Sequence, residues 1–235
     1  MPQDQQDLAK EQDLAKDFAN SLAVTRKKVL FCDAGYGFPS EARPRREKVL
    51  AVAKQIVNFL SWQSKSSMDF ADLVIVGCDE RSRSDVEERM KQLLKGDVPP
   101  HVSFSVTSLE DSSDSIIYLS PDADEALDPS TEPPDRVVVG LLIDRRIQPN
   151  RSKKHAASLG IQSARLPLEG FNVDNCEPLN VDTVLVGMQQ WWWNCETQKG
   201  TSTECFLGAM ENALQQHCKR HPNRPLHKPN LDHDS

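Results

Sequence analysis

The sequence predicts an α/β protein built on a mainly parallel sheet with helices on both faces. Short apolar runs alternate with segments whose apolar residues recur at helical spacing, as strands and amphipathic helices do. The most apolar run, RVVVGLLID, is continuous, as expected for a strand that is buried on both faces of a parallel sheet. The 235 residues suffice for one core of this kind, and the alternation predicts βαβ units.

The first half of the chain predicts three strands and two helices. KKVLFCDAGYGF reads as a strand entering a glycine-rich turn, and ADLVIVGCD and HVSFSV read as two further strands. Asp33 ends the first of them, where either a ligand contact or a turn would use its side chain. The first helix has an apolar face made of Val49, Val52, Ile56, Phe59 and Leu60. SDVEERMKQLLK predicts the second helix, with Ser84 as its N-cap and Glu87 completing a capping box.

The second half continues the alternation. SIIYL predicts a strand, followed by a helix that begins at Ser120 or Asp122. RVVVGLLID and SARLPL predict two more strands, separated by a short helix, KKHAASLG, that ends at Gly160. NVDTVLVGMQQWWW predicts a long helix, whose tryptophans favour core packing over a base-stacking platform. CFLGAMENALQQHCKR predicts a last helix.

These elements divide the chain into three parts. Residues 1–26 are polar and predict a disordered or marginally helical lead-in. Residues 27–196 hold the α/β domain. Residues 197–235 hold the last helix and a flexible C-terminal tail that is rich in proline and histidine.

Composition excludes several classes of function. No run approaches the roughly 20 apolar residues of a membrane helix, and no signal or transit peptide is evident, so we expect a cytoplasmic or nuclear protein. Six cysteines without CxxC spacing predict reduced thiols and no metal site. The sequence contains no P-loop, GxGxxG, GxSxG or HExxH motif. A catalytic site would therefore be built from loops at the strand ends.

Charge is spread unevenly along the chain. The net charge of −7, taken alone, argues against a nucleic-acid partner. Residues 107–135 hold nine acids and no Lys or Arg, whereas residues 136–165 hold seven Lys or Arg and one acid, Asp144. This second stretch predicts a local cationic face that suits a phosphate backbone, with an ordinary solvated helix face as the alternative.

Four short motifs occur in the order and spacing of a known family. They are YLSPD (118–122), VVVGLLIDRR (137–146), AASLGIQSARLPL (156–168) and PLNVDTV (178–184). KVLFCDAGY and KVLAVAKQIVNFL, in addition, resemble the family's first strand and first helix. From about residue 28 to residue 195, the chain resembles the tRNA purine-9 N1-methyltransferases of the SPOUT class.

The resemblance implies an α/β fold whose C-terminal part is threaded into a trefoil knot that binds S-adenosyl-L-methionine. It also implies a monomer that methylates N1 of nucleotide 9 in tRNA. The cofactor-binding positions that it implies are Leu119, Ser120, Gly140, Leu141, Arg145, Leu166, Pro167, Leu179, Asn180 and Val181. Asp144 would be the carboxylate near the target base. The cations that would hold the tRNA backbone are Arg145, Arg146, Arg151, Lys153 and Lys154.

The chemistry of the target base leaves two roles open for Asp144. Guanine N1 carries a proton at neutral pH, so its methylation needs a proton acceptor, and a carboxylate at the end of a buried strand suits that task. Adenine N1 has a free lone pair, so Asp144 would then only orient the base or balance charge. Guanine is the favoured target. The plain structural alternative is a strand-end cap or a partner for Arg145.

Two departures from the family pattern support a second hypothesis. Leu141 stands where the family has a second glycine, and Arg146 stands where it has asparagine. Gly140 still lets a ligand approach the backbone closely, but a leucine beside it would narrow the pocket. The alternative function is therefore a catalytically degenerate knot domain that binds RNA or a protein partner.

Overall fold

A computed structural model of the protein describes residues 28–66, 68, 71–105, 109, 116–143, 148–171, 179–197 and 200–220. Its centre is a six-stranded sheet in the order β3-β2-β1-β5-β4-β6, in which every pair of neighbours is parallel. The strands are β1 (Val29–Asp33), β2 (Asp72–Val76), β3 (Val102–Phe104), β4 (Ile116–Leu119), β5 (Arg136–Gly140) and β6 (Ser163–Ala164). The predicted parallel α/β architecture is thus confirmed.

Five helices in the described residues cover the two faces of the sheet. They are α1 (Ala42–Gln63), α2 (Glu80–Leu94), α3 (Arg151–Ser158), α4 (Val181–Thr197) and α5 (Ser202–Arg220). The main apolar cluster joins α1, α2, α4 and α5 to strand residues such as Leu30 and Val139. A second cluster joins Ala156 of α3 to Phe31, Tyr118 and Val138, which alternate with the first set along the strands. The prediction of helices on both faces is therefore confirmed.

Two of the three tryptophans of α4 pack in the core, as predicted. Trp191 is 0% and Trp192 3% exposed, and the ring centroid of Trp191 lies 4.9 Å from that of Phe206 on α5. The indole Nε1 of Trp192 donates a hydrogen bond to the carbonyl oxygen of Pro134. Burial of such large side chains stabilises the α4–α5 contact, so these two rings are unavailable for stacking on bases.

Two predicted helix starts are wrong. The N-cap of α2 is Asp79, whose Oδ1 accepts a hydrogen bond from the Ser82 backbone N–H at 2.7 Å, so Ser84 lies inside the helix. The described segment 120–135 contains turns but no helix, although Ser120 and Asp122 resemble caps. Both side chains bond the start of α3 instead, and the local hydrogen bond from the Asp122 N–H to Ser120 Oγ closes a turn that does not continue as a helix.

Several expectations fall partly or wholly outside the described residues. The lead-in 1–26 and the tail 221–235 are among them, while the predicted last helix is confirmed as α5. The division into three parts and the trefoil knot stay predictions. Among the described helices, none is long and apolar enough to cross a membrane.

Candidate functional site

The carboxyl ends of three neighbouring strands, β5, β4 and β6, bring the predicted cofactor positions together. Parallel pairing sets Leu119 of β4 opposite Val139 of β5 and Ala164 of β6. Gly140 ends β5 one residue further on, and Leu166 follows β6 closely. Strand ends of a parallel sheet meet at one edge, which is where open α/β sheets bind ligands. This edge is the candidate site.

The apolar members of the predicted set lie in one continuous region. Leu119, Leu141 and Val181 belong to the main core cluster, and the half-buried Leu166 and Leu179 pack against it. Leu141 is 1% exposed, and its backbone N–H donates to the carbonyl oxygen of Asp33 at 2.8 Å. The side chain that replaces the family's glycine is therefore part of the core.

The polar members hold the edge in place. Ser120 is 1% exposed, and its Oγ lies 2.7 Å from Oγ of Ser152 on α3. The Asn180 carbonyl accepts hydrogen bonds from the backbone N–H groups of Thr183 and Val184 and so starts α4. Pro167 is half-buried between Leu166 and Leu168. The contact between Ser120 and Ser152 ties the end of β4 to the start of α3, and the Ser120 N–H donates to the carbonyl oxygen of Ala164 in β6.

The predicted RNA-binding cations are only partly described. Arg145 and Arg146 lie outside the described residues, as does Asp144. On α3, Lys154 is exposed, while Lys153 forms an ion pair with Asp124 at 2.7 Å. Such a surface pair is worth about 0–1 kcal/mol, so a phosphate can replace it at little cost.

Arg151 contacts Tyr36 at the start of the same helix. Its guanidinium carbon lies 5.3 Å from the centre of the Tyr36 ring, and Nη2 donates to the Tyr36 carbonyl oxygen at 3.4 Å. Arg151 Nη1 also donates to Oε1 of Gln148. The cation is therefore positioned on an aromatic face at the edge of the candidate site.

The structure places a buried carboxylate, Asp33, in this site. Asp33 is 2% exposed at the end of β1 and pairs with Gly140 across the sheet. Its Oδ1 accepts from the Gly35 backbone N–H at 2.8 Å. Its Oδ2 accepts from the Tyr118 hydroxyl at 2.8 Å and lies 2.9 Å from Nε2 of His155. The hydrogen bond from Gly35 confirms the turn role of Asp33, and a ligand contact stays a prediction.

Two tyrosines extend this network above Gly140. The Tyr36 and Tyr118 hydroxyl oxygens lie 2.6 Å apart. A Cβ atom on Gly140 would lie 2.9 Å from each of them, so the tyrosines fill the space beside this glycine. Burial, opposed by the hydrogen bond with Tyr118 and assisted by the charge of Asp33, raises the pKa of Tyr36 to about 12. Burial, followed by the charge of Asp33, also raises the pKa of the Tyr118 phenol well above its usual range.

Sequence reasoning missed most of this network. Asp33 ends a predicted strand and Tyr118 opens YLSPD, but the sequence contains nothing that links them to each other or to His155. Asp33 and Tyr118 are 85 residues apart along the chain, and the strand order brings them together. The signal that was available was an acid followed by an aromatic residue in DAGY, directly after a buried strand.

The described residues contain neither a reactive cysteine nor a cluster of metal ligands. Cys32, Cys78, Cys195, Cys205 and Cys218 are free thiols. Burial raises the pKa of Cys78 to about 11, which keeps its thiol protonated. Within the same residues, no group of three or more His, Cys, Asp or Glu side chains is placed to hold a metal ion.

Comparison with known protein families shows which family this chain belongs to. Residues 45–201 match the model of the family described as "tRNA (guanine(9)-N(1))-methyltransferase TRM10/TRM10A", a stretch that exceeds half of the chain. The chain belongs to the TRM10/TRM10A family. A curated relative, the "tRNA methyltransferase 10 homolog B" of Danio rerio, is 36% identical over 78 residues. This TRM10 chain covers 25% of that relative's length, in a match that spans 33% of its own.

Solved TRM10 structures share the fold. The crystal structure of spTrm10(74) superposes with a TM-score of 0.55 at 16% identity, over 77% of this chain and 92% of that one. The spTrm10 (full length)–SAH complex gives a TM-score of 0.54 at 16% identity, over 77% and 94% of the two chains. At this identity the similarity shows the fold alone. The predicted SPOUT-like α/β architecture is confirmed to that extent.

Proposed function

We propose that this chain transfers a methyl group from S-adenosyl-L-methionine to N1 of the purine at position 9 of tRNA, with guanine as the preferred base. The observation that carries the proposal is the family match over residues 45–201. The sheet edge described above lies within that match and gathers the predicted cofactor positions of β4, β5 and β6. A relative of the same fold, spTrm10, has been crystallised as an SAH complex.

The residues at this edge fit the proposed cofactor. Leu166 and Leu179 pack on the main core but stay half-exposed, which leaves an apolar surface for a flat adenine ring. Pro167 restricts the backbone directly after Leu166 and lacks a backbone N–H donor. Leu119, Ser120, Gly140, Leu141, Asn180 and Val181 complete the described part of the proposed set, and Arg145 is its remaining member. When bound, the cofactor supplies an activated methyl group, so the protein mainly has to align the acceptor nitrogen with it.

Asp144 is the proposed proton acceptor for guanine. In the sequence it follows the end of β5 by four residues, and β5 pairs with both β1 and β4 at the centre of the site. As the new N–CH3 bond forms at guanine N1, the N1 proton passes to the carboxylate, which keeps the product base neutral. Adenine N1 has no proton to lose, so this function of Asp144 is specific to guanine.

The proposed tRNA surface is the start of α3 with the segment before it. Arg151, Lys153 and Lys154 lie at the carboxyl edge of the sheet, beside the candidate site, and Arg145 and Arg146 precede them in sequence. Each phosphate that a lysine or arginine neutralises releases counterions, which makes binding salt-dependent. Although the net charge of the chain is negative, tRNA would therefore bind at this cationic surface.

Calorimetric titration with S-adenosyl-L-methionine tests the cofactor part of the proposal. We expect binding at one site per chain, weakened at least tenfold by Leu166→Asp because a charge would enter a half-buried apolar surface. Leu207→Asp is the matched control, since Leu207 is 47% exposed on α5. An absence of heat at millimolar cofactor would remove the enzyme function and favour the second candidate, a knot domain that binds RNA without transferring methyl.

The Asp144→Asn variant tests the catalytic part. General base catalysis is worth about 100-fold to 10,000-fold in rate, so transfer to guanine should slow by about that factor. Transfer to adenine in an otherwise identical transcript should change far less. Equal slowing on both bases would show that Asp144 does not accept the N1 proton.

A further inference from the structure

The hydrogen bonds around Asp33 have only one consistent direction. The carboxylate can only accept, so the Tyr118 hydroxyl donates its proton to Oδ2. Tyr118 has a single hydroxyl proton, and its hydrogen bond to Asp33 uses that proton. In the 2.6 Å contact between the two hydroxyls, Tyr36 must therefore be the donor. The hydrogen-bond chain therefore runs in one direction, from Tyr36 to Tyr118 to Asp33. It leaves Tyr36 Oη with only lone pairs to offer to a further partner.

The surroundings keep this direction in place. Both phenols stay protonated at neutral pH, because burial raises the pKa of Tyr36 to about 12 and raises that of Tyr118 further. Asp33 also accepts from the backbone N–H of Gly35, and His155 presents Nε2 at 2.9 Å to the oxygen that Tyr118 contacts. With two donors at Oδ2 and one at Oδ1, the carboxylate is held as an acceptor.

Tyr36 lies between the proposed cofactor site and the proposed tRNA surface. Its hydroxyl would be 2.9 Å from a Cβ atom on Gly140, one of the proposed cofactor positions. Its ring is covered by the guanidinium of Arg151, one of the proposed tRNA contacts, at 5.3 Å. The ring is half-buried, and His155 packs on it with ring centroids 4.6 Å apart. Tyr36 is therefore adjacent to one residue of each proposed surface, Gly140 and Arg151.

We propose that Tyr36 determines the base specificity of the site, because the one-way chain from Tyr36 through Tyr118 to Asp33 makes its hydroxyl oxygen an obligate acceptor. The inference rests on the proposed function. Guanine presents two adjacent donors on its Watson–Crick edge, N1–H and the N2 amino group. Adenine presents a lone pair at N1, a C–H group at position 2 and its own amino group on the other side of N1, at position 6. An obligate acceptor opposite position 2 therefore bonds the guanine amino group, whereas beside adenine its lone pairs face a C–H group or the N1 lone pair.

A near-isosteric change at Asp33 should reverse the direction of these hydrogen bonds. In Asp33→Asn, the amide oxygen keeps the hydrogen bond from Gly35 N–H, which places the amide nitrogen where Oδ2 stands. That nitrogen donates to the Tyr118 oxygen and to Nε2 of His155 in its other tautomer. Tyr118 then donates to Tyr36, and the Tyr36 proton turns outward. A donor at this point suits adenine N1 and opposes the donors of guanine.

The test measures kcat/KM for methyl transfer to two tRNA transcripts that differ only in having guanine or adenine at position 9. Wild-type protein should favour guanine, since a site built to bond a donor discriminates against a base that lacks it by about tenfold or more. Tyr36→Phe, which removes the acceptor, and Tyr118→Phe, which frees the Tyr36 proton, should each lower the guanine-to-adenine ratio at least tenfold. Asp33→Asn should lower it further and raise the absolute rate on adenine.

Controls separate this inference from the proposed function. Asp135→Asn makes the same chemical change at the amino edge of the sheet, where Asp135 pairs with Lys28, and should leave the ratio unchanged. If the wild type transfers methyl and the guanine-to-adenine ratios of Tyr36→Phe, Tyr118→Phe and Asp33→Asn all stay within twofold of its own, the inference is overturned. The proposed function is then unaffected. No transfer by the wild type to either transcript overturns both. Tyr36→Phe changes one half-buried hydroxyl, so it decides the matter even if the buried variants fold poorly.

Discussion

Replacing Gly140 by alanine tests the packing on which the site is built. The new Cβ atom would lie 2.9 Å from the hydroxyl oxygens of Tyr36 and Tyr118 and 3.0 Å from Cε2 of Tyr36, so at least one ring must move. Tyr118 is 0% exposed and bonded to Asp33, which leaves it little freedom. Gly140 has no positive φ, so the cost is steric rather than a matter of backbone strain.

The expected loss of stability in Gly140→Ala follows from two opposing contributions. Overpacking a filled site costs about 1–3 kcal/mol, and the lower entropy of the unfolded alanine chain returns about 0.4–1 kcal/mol. The free energy of unfolding should therefore fall by about 1–2 kcal/mol. For a protein of this size that corresponds to a drop in Tm of about 2–8 °C.

Urea unfolding and thermal melting without cofactor or RNA measure this loss. Gly96→Ala is the matched control, because nothing lies within 4 Å of a Cβ atom at Gly96, and it should be neutral or slightly stabilising. The double variant Gly140→Ala with Tyr36→Phe should lose less stability than the sum of the single variants, by about 0.5 kcal/mol or more, since one of the two clashing hydroxyls is gone. An unchanged Tm in Gly140→Ala would refute the reasoning that the two tyrosines fill this space.

Two further predictions concern the helix cap and the cationic face. Asp79→Ala should lower the free energy of unfolding by about 0.5–2 kcal/mol, whereas Ser84→Ala should stay within about 0.5 kcal/mol. The Ser82 backbone N–H and hydroxyl lower the pKa of Asp79 below its ordinary value of 3.8, so the cap stabilises above that value. The gap between wild type and Asp79→Ala in urea unfolding should accordingly close as the pH falls through the folded-state pKa, and a gap that persists in acid would contradict this. Lys154→Ala should reduce the salt slope of tRNA binding by about one unit, while Lys65→Ala, at the far end of the sheet, should leave it unchanged; equal slopes in all three proteins would show that the α3 face does not contact phosphate.

The sequence was most informative where a pattern is local. The helix α1 follows directly from apolar residues at helical spacing, and β5 from a continuous apolar run, because burial of one face or of both faces imposes those patterns. The end of α3 at Gly160 was likewise predictable, since this glycine has a φ of +69°, which L side chains rarely adopt.

Prediction failed where a side chain serves a distant partner. Ser120 and Asp122 have the composition of a helix start, but they bond Ser152 and the backbone of Asn150, about 30 residues further along the chain. The Asp33–Tyr118–His155 network depends on β1 lying next to β5, and β5 next to β4. Alternation of strands and helices does not specify that order, so the acid and the aromatic residue in DAGY could not be linked to Tyr118 or His155 from the sequence.

The most direct test of the account is to find where the methyl group goes. The protein is incubated with a guanine-9 tRNA transcript and S-adenosyl-L-methionine carrying a deuterated methyl group, and the RNA is digested and sequenced by mass spectrometry. One labelled methyl group is expected on N1 of nucleotide 9, and Asp144→Asn should form it about 100-fold to 10,000-fold more slowly. Label at another nucleotide, or none on tRNA while the cofactor still binds, would contradict the account.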